Sequence, residues 1–374
     1  MTPDLEFGPE WALLELLCLG LDTPDRQTRF EDLITSGDLH WGELLEQAVR
    51  HKMEVLLARH LGFGPIGEAV PIRILRHLRG VYDANVYRRK FWYEALHKVV
   101  TGLEERGIPV AGRKQASFEA TLYNGDGRRR LGDIDLLILP KDMQATTEVL
   151  EGLGFQAIQY DWATDALVPV PRREMMIYRL SPDHLPIMIQ RTGDQITRFL
   201  DVDCASSMTW AKSPYEIPLE EAMATIEHHP VPGMPGIKVP AVAPEYEFLG
   251  TVMHLFREAW FERWLDFEQD VDLAKFGDVV RLFQAHRHQI ETFRTTIDRY
   301  DVREPVLWVL EHMDRTFHTD SVDAFGWQGQ VDETWLSSAH SSKGEPRRWQ
   351  GTMRRRLYSK DRRALFATPG EVHA

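Results

Sequence analysis

The sequence predicts an α+β fold, a small mixed sheet flanked by N- and C-terminal helical lobes. Apolar residues recur at helical spacing up to residue 104, give way to short apolar runs bounded by glycine and proline, and return to helical spacing after residue 245. The expected organisation is a helical lobe over 1–104, an α/β domain over 105–228, a linker over 229–244, a helical lobe over 245–340 and a basic tail over 341–374.

In the first lobe the helical stripes are Trp11, Leu14, Leu17, Cys18 and Leu21, then Leu44, Leu45, Ala48, Val49 and Met53, then Val86, Phe91, Leu96, Val99 and Leu103. Pro24 with Asp25, and Gly62, Gly64, Pro65 and Gly67, mark the breaks. After Gly107 a short extended run over 108–111 is followed by a helix over 117–123 and a strand over 134–139, between Gly132 and Pro140. Helical spacing over 141–153 ends at Gly154, as a glycine cap requires. Residues 176–180, 185–190 and 199–203 read as extended, separated by a turn at 181–183 and a loop at Gly193, and supply antiparallel members of the sheet. The proline- and glycine-rich 229–244 reads as a linker, and 246–283 and 290–317 as helices.

The chain has 374 residues, 44 Lys and Arg against 57 Asp and Glu, a net charge of −13 and 2 cysteines. This is ordinary globular composition with room for two or three domains. Cys18 and Cys204 have no C-x-x-C partner, which excludes a disulfide framework or zinc ribbon and points to a reducing, cytoplasmic setting. No basic segment opens the chain, and the apolar stretch over 11–21 is interrupted by Glu15 and too short for a bilayer, so neither secretion nor membrane insertion is expected. The acidic balance argues against wrapping duplex DNA. Between Lys343 and Arg363, however, nine basic residues face only Glu345 and Asp361; this reads as a solvated face or disordered tail, with RNA or another polyanion as the alternative.

The segment richest in chemistry is Asp133, Ile134, Asp135, Leu136, Leu137, Ile138. Strand alternation sends Ile134 and Leu136 to the core and turns both acids to the other face. Two carboxylates so close repel one another, and a divalent cation removes the conflict. Such an ion can bridge nucleotide phosphates and activate an incoming hydroxyl.

Around this pair, Ile108, Pro109 and Val110 lead to Lys114, Gln115 and Ala116, then Leu122 and Tyr123, and Arg130, Leu131 and Gly132 run into the acids. In this order the chain resembles polymerase-β-type nucleotidyltransferases, and more closely a bacterial family of uncharacterised nucleotidyltransferases whose pattern has Lys-Gly-Ala before Arg and Asp-h-Asp-Leu-Leu-h. The likeness extends outward through 38–51 upstream and through 248–254 and 264–273 downstream, and covers most of 10–285.

The resemblance implies a metal-dependent transfer of NMP from an NTP to an acceptor hydroxyl or similar group, with magnesium, or manganese in its place, as cofactor. The acceptor expected is a small molecule or a protein rather than nucleic acid. Asp133 and Asp135 fall on the metal-binding acids, and Lys114 and Arg130 on the partners of the triphosphate, Arg as a bidentate fork and Lys as a point charge. Gln115 stands where the family has glycine, a residue that lets backbone approach phosphate closely; either Gly112 takes its place or triphosphate binding is altered. The third acid has no verbatim counterpart; in Leu200, Asp201, Val202, Asp203 both Asp201 and Asp203 share one face, so either qualifies or neither does. The alternatives are a catalytically degenerate binding protein of the same fold, and an RNA-modifying transferase using the basic tail.

The remaining candidates have plainer readings. The fifteen histidines form no H-E-x-x-H or Cys/His pattern. His254 with Glu258, four apart on a helix, reads as a buried hydrogen-bonded pair, and Trp260 and Trp264 read as packing. Asp270 and Asp272 are expected within a helix, where residues two apart diverge.

Overall fold

The computed structural model describes residues 7–161, 163–180, 183–341 and 346–366. The chain is an α+β protein that divides into two compact units, Arg79–Glu247 and the combination of Met1–Leu78 with Phe248–Ala374. The boundary falls inside two helices, Ile72–Glu104 and Pro244–Trp260.

Among the described residues the middle unit holds eight strands: β1 (Val110–Gly112), β2 (Ile134–Ile138), β3 (Ile158–Asp161), β4 (Ala166–Pro169), β5 (Met188–Arg191), β6 (Phe199–Ala205), β7 (Glu227–Pro230) and β8 (Lys238–Ala241). The central sheet has the order β1-β2-β6-β5. β2 is antiparallel to β1 and parallel to β6, and β5 is antiparallel to β6. Ile134, Leu136 and Ile138 of β2, with Val202 and Cys204 of β6, point into one core, against Trp92, Leu96, Val99 and Leu103 of the long helix and Leu150 and Phe155 beyond it. The helix Met143–Gly152 ends beside Gly154, whose φ of 89° is the left-handed turn that glycine adopts without strain.

Two expected features of this unit differ. Residues 176–180 belong not to a strand but to the helix Arg172–Leu180, because Pro171 opens it, its carbonyl accepting from Met175 N at 3.1 Å, and the unbranched side chains over 172–176 favour helix; of the turn expected at 181–183, residues 181 and 182 lie outside the described residues. The expected linker contains the hairpin β7–β8, closed by Val231 N to Ile237 O at 3.0 Å, with Val231 and Val239 buried in the core. Apolar residues spaced between the prolines give the segment something to bury.

The other unit is largely helical. It includes Pro9–Leu19, Pro24–Thr35 capped by the Thr23 side chain, Trp41–Arg50, Glu54–Leu61, Leu273–Ala285, Ile290–Arg299 and Arg303–Phe317. The basic segment expected to lie outside the folded units is built into this one. Arg354, Arg356 and Arg362 are 8%, 0% and 6% exposed. Arg356 and Arg362 reach Asp270 at 3.1 and 2.6 Å, and Arg354 reaches Glu15 at 2.8 Å. Buried acids need cations, and these arginines supply them; residues 367–374 lie outside the described part.

Asp270 and Asp272 precede the helix Leu273–Ala285 instead of lying within one. Asp272 caps that helix by accepting from Lys275 N at 2.8 Å, and its carboxylate also pairs with Lys52 at 3.1 Å. His254 and Glu258 form the expected pair at 3.1 Å, joined by Lys275 at 2.7 Å. Trp260 sits in an aromatic cluster with Phe256, Trp335 and His340. Among the described residues no helix is long and apolar enough to cross a membrane.

Candidate active site

The site grows from two neighbouring strands. Asp133 stands at the entry to β2 and Asp135 one pleat further along the same face, while β6 runs beside them with Asp203 opposite Asp135 in the parallel register. The acids therefore converge for the same reason that the apolar residues between them reach the core. Oxygens of Asp133, Asp135 and Asp203 all lie within 4.8 Å of one another.

Charge crowding follows from this geometry. Asp135 is 2% exposed, and burial, then the Asp133 carboxylate, push its carboxyl up to about 7 in spite of the Lys114 ammonium. Burial would raise Asp203 as well, but the hydrogen bond and charge of His184, with Lys114 and Arg113 nearby, hold it below the usual carboxylate range. His184 Nδ1 lies 3.4 Å from Asp203 Oδ1. Backbone pairing brings it there: His184 bridges Ala205, and Leu185 N donates to Cys204 O at 2.9 Å.

Lys114 Nζ lies 2.8 Å from Asp135 Oδ1. Its backbone has φ 47° and ψ −123°, a conformation that favours glycine and costs other residues about 1–3 kcal/mol. Surrounding contacts hold it there. Arg113 N donates to Asp135 O at 2.9 Å, which extends the β1–β2 ladder up to Lys114, and the helix Gln115–Thr121 begins on its other side. Gly112 belongs to the same turn: a Cβ there would lie 3.1 Å from Ala116 Cβ and 3.2 Å from Pro240 O.

Gln115 is buried beside the acids. Its Nε2 donates to Asp133 O at 2.7 Å and to Asp133 Oδ1 at 2.9 Å, while Oε1 accepts from Arg129 Nη1 at 3.0 Å. The loop carrying Arg129 is bonded from several sides. Asn85 Nδ2 donates to Gly127 O and Arg129 O at 2.8 and 2.9 Å, Asn85 Oδ1 accepts from Leu131 N at 3.1 Å, and Glu119 Oε1 accepts from Gly127 N at 2.6 Å. Trp92 Nε1 donates to Gly132 O at 2.9 Å, which anchors the chain just ahead of the acids.

The remaining expected residues stand further out. Asp201 shares the face of Asp203 but lies outside the group of three; burial and then Asp133 push it up to about 6 against the charge of Arg88. Arg130 is exposed and close enough to Arg88 for the two charges to interact.

Sequence reasoning passed over His184, Arg113 and Arg88. Arg113 had a signal in its position next to Lys114 after Gly112, and Arg88 in standing one helical turn before Trp92. His184 had none, because its place depends on pairing with β6.

The family described as uncharacterised nucleotidyltransferase matches residues 37–318, about three quarters of the chain, and the chain belongs to that family. Neither the curated proteins nor the solved structures compared give a match.

Proposed function

We propose that this member of the uncharacterised nucleotidyltransferase family moves NMP from an NTP to an acceptor hydroxyl or similar group and releases pyrophosphate. The observation that carries this reading is the convergence of Asp133, Asp135 and Asp203, whose oxygens lie within 4.8 Å of one another. A hard divalent cation such as Mg2+, or Mn2+ in its place, fits the donor set. All three donors are carboxylates, the ligand type such ions prefer, and among the described residues the buried Asp135 Oδ2 has no hydrogen-bond partner. When bound, the ion would neutralise charge on the phosphates and make the incoming hydroxyl a better nucleophile.

The protein's own groups do the rest. Lys114 places a cation beside Asp135, and Arg130 and Arg88 offer further positive charge for the triphosphate. His184, with Lys114 and Arg113, favours the ionised form of Asp203, the form that holds a cation. Aligning the reactants and stabilising charge supply most of the rate in chemistry of this type.

In this reading the unit Arg79–Glu247 is the transferase domain, and the acceptor is a small molecule or a protein. The two cysteines, both buried thiols, fit a cytoplasmic setting. The RNA-modifying alternative loses its main support, since Arg354, Arg356 and Arg362 are committed to internal carboxylates. A nucleotide-binding protein without turnover is the second reading, favoured by Gln115 in the glycine position and by the contact of Lys114 with Asp135.

The test is pyrophosphate release from each of the four NTPs, with a cell extract as acceptor source, in magnesium and in EDTA. Release that needs magnesium supports transfer. Nucleotide-dependent thermal stabilisation without release, whatever the acceptor, supports the binding reading.

A further inference from the structure

We propose that Gln115 is a positioning residue, which holds the Asp133 carboxylate in the orientation that binds metal. The proposal rests on the metal-site reading above and assigns Gln115 a task other than contact with nucleotide.

The geometry is specific at both ends of the side chain. Gln115 Nε2 donates to Asp133 O at 2.7 Å and to Asp133 Oδ1 at 2.9 Å, so one amide group fixes both backbone and carboxylate of the same residue. Which way an amide points is set by its partners. Here Oε1 accepts from Arg129 Nη1 at 3.0 Å, and a guanidinium can only donate, so the NH2 group must face Asp133. Arg129 is itself held, its carbonyl by Asn85 at 2.9 Å and its guanidinium over the Tyr123 ring at 5.7 Å from the centroid.

This chain of contacts answers a physical problem. Asp133 stands at the edge of the strand beside the buried Asp135, and like charges drive it toward solvent. A donor on Oδ1 opposes that swing while leaving Oδ2 for an ion. With both ends engaged, the side-chain amide of Gln115 has no group directed at a phosphate. The glycine of the family pattern has no side chain for such a contact, so the departure at this position adds a support to the metal ligand.

The experiment uses the full chain and Mn2+ as probe, with affinity from calorimetry and the paramagnetic resonance signal of the bound ion, beside metal-free melting curves. Gln115→Ala is expected to weaken Mn2+ binding by about 10–100-fold, the usual cost of losing a group that orients a ligand, and to leave the metal-free melting temperature near that of the wild type. Gln115→Glu has the same shape but turns an acceptor toward Asp133, so it is expected to weaken binding at least as much, and it decides the matter should Gln115→Ala fold poorly. In an Asp133→Asn background, Gln115→Ala is expected to cost nothing further. Wild-type affinity in the folded Gln115 variants, or an equal loss in the Asp133→Asn background, overturns the role of Gln115. Failure of the wild-type chain to bind Mn2+ overturns the metal-site reading on which it stands.

Discussion

Asp270 in the helical unit and Asp135 in the middle unit are both buried carboxylates, 0% and 2% exposed, yet their surroundings push them in opposite directions. Burial alone would raise both. At Asp270 the Arg356 and Arg362 guanidiniums outweigh it and hold the carboxyl low. At Asp135 the charge of Asp133 adds to burial, and Lys114 offsets only part of it. Burial of an acid therefore does not mark a site; what distinguishes the two places is whether the fold matches the charge it buries. Matched acids tie distant segments together, and acids left in excess set up a place where a cation from outside is stabilising.

The largest test of this contrast lies in the matched cluster. Asp270→Ala leaves Arg356 and Arg362 buried without their carboxylate and is expected to destabilise the helical unit by about 3–5 kcal/mol in urea denaturation. A cost under about 1 kcal/mol would mean that the arginines find other partners, and the contrast would dissolve.

In the unmatched cluster the expectation is reversed. Asp135→Asn removes one of the mutually repelling acids, so the metal-free melting temperature is expected to stay near wild type, while magnesium-dependent pyrophosphate release falls at least about a hundredfold. Unchanged turnover would remove Asp135 from the site.

The units should also answer pH with opposite signs. His51 and His312, in the helical unit, are held down to about 3, mainly by burial, against an ordinary value of 6.5. Below about 6.5 the unfolded chain takes protons that the folded unit refuses, so stability is lost as pH falls, by up to about 1.4 kcal/mol per pH unit for each histidine. In the middle unit, burial pushes Glu119 and Glu247 up to about 7 against an ordinary 4.5. There the folded unit takes the proton first, so this contribution strengthens the fold as pH falls from about 7 to about 4.5. Hydrogen exchange corrected for intrinsic rates, read unit by unit, should show protection falling in one and rising in the other.

The smallest effect is expected at the exposed surface of the basic segment. Lys360 reaches Glu43 and Glu46 at 3.2 and 2.8 Å but is itself 57% exposed, and solvent screens such pairs. Lys360→Ala should leave the melting temperature unchanged, and a clear drop would show that the exposed pairs matter as the buried ones do.

Much of this was legible beforehand wherever the signal is local. Alternation through Asp133, Ile134, Asp135 and Leu136 placed the acids on one face and the aliphatic residues in the core, as found. The same alternation could not separate Asp201 from Asp203, because both point the same way. Only the register of β6 against β2, which sets Asp203 opposite Asp135, separates them. Helical spacing located the flanking helices, and it failed at 176–180 because Met and Leu serve helix and strand alike until the helix start at Pro171 is taken into account.

By itself, then, the sequence determined the α+β class, the acid pair and the family, since each is written in short-range order: period, spacing and neighbouring residue types. Tertiary structure alone decided which third acid lies beside the pair, what Gln115 is bonded to, and that Arg356, 86 residues from Asp270, is a buried partner and not a solvated charge. A charge has the same chemistry in any stretch of chain. Whether it is matched, left in excess or open to water depends on what folding brings within a few ångströms of it, and no local pattern carries that information.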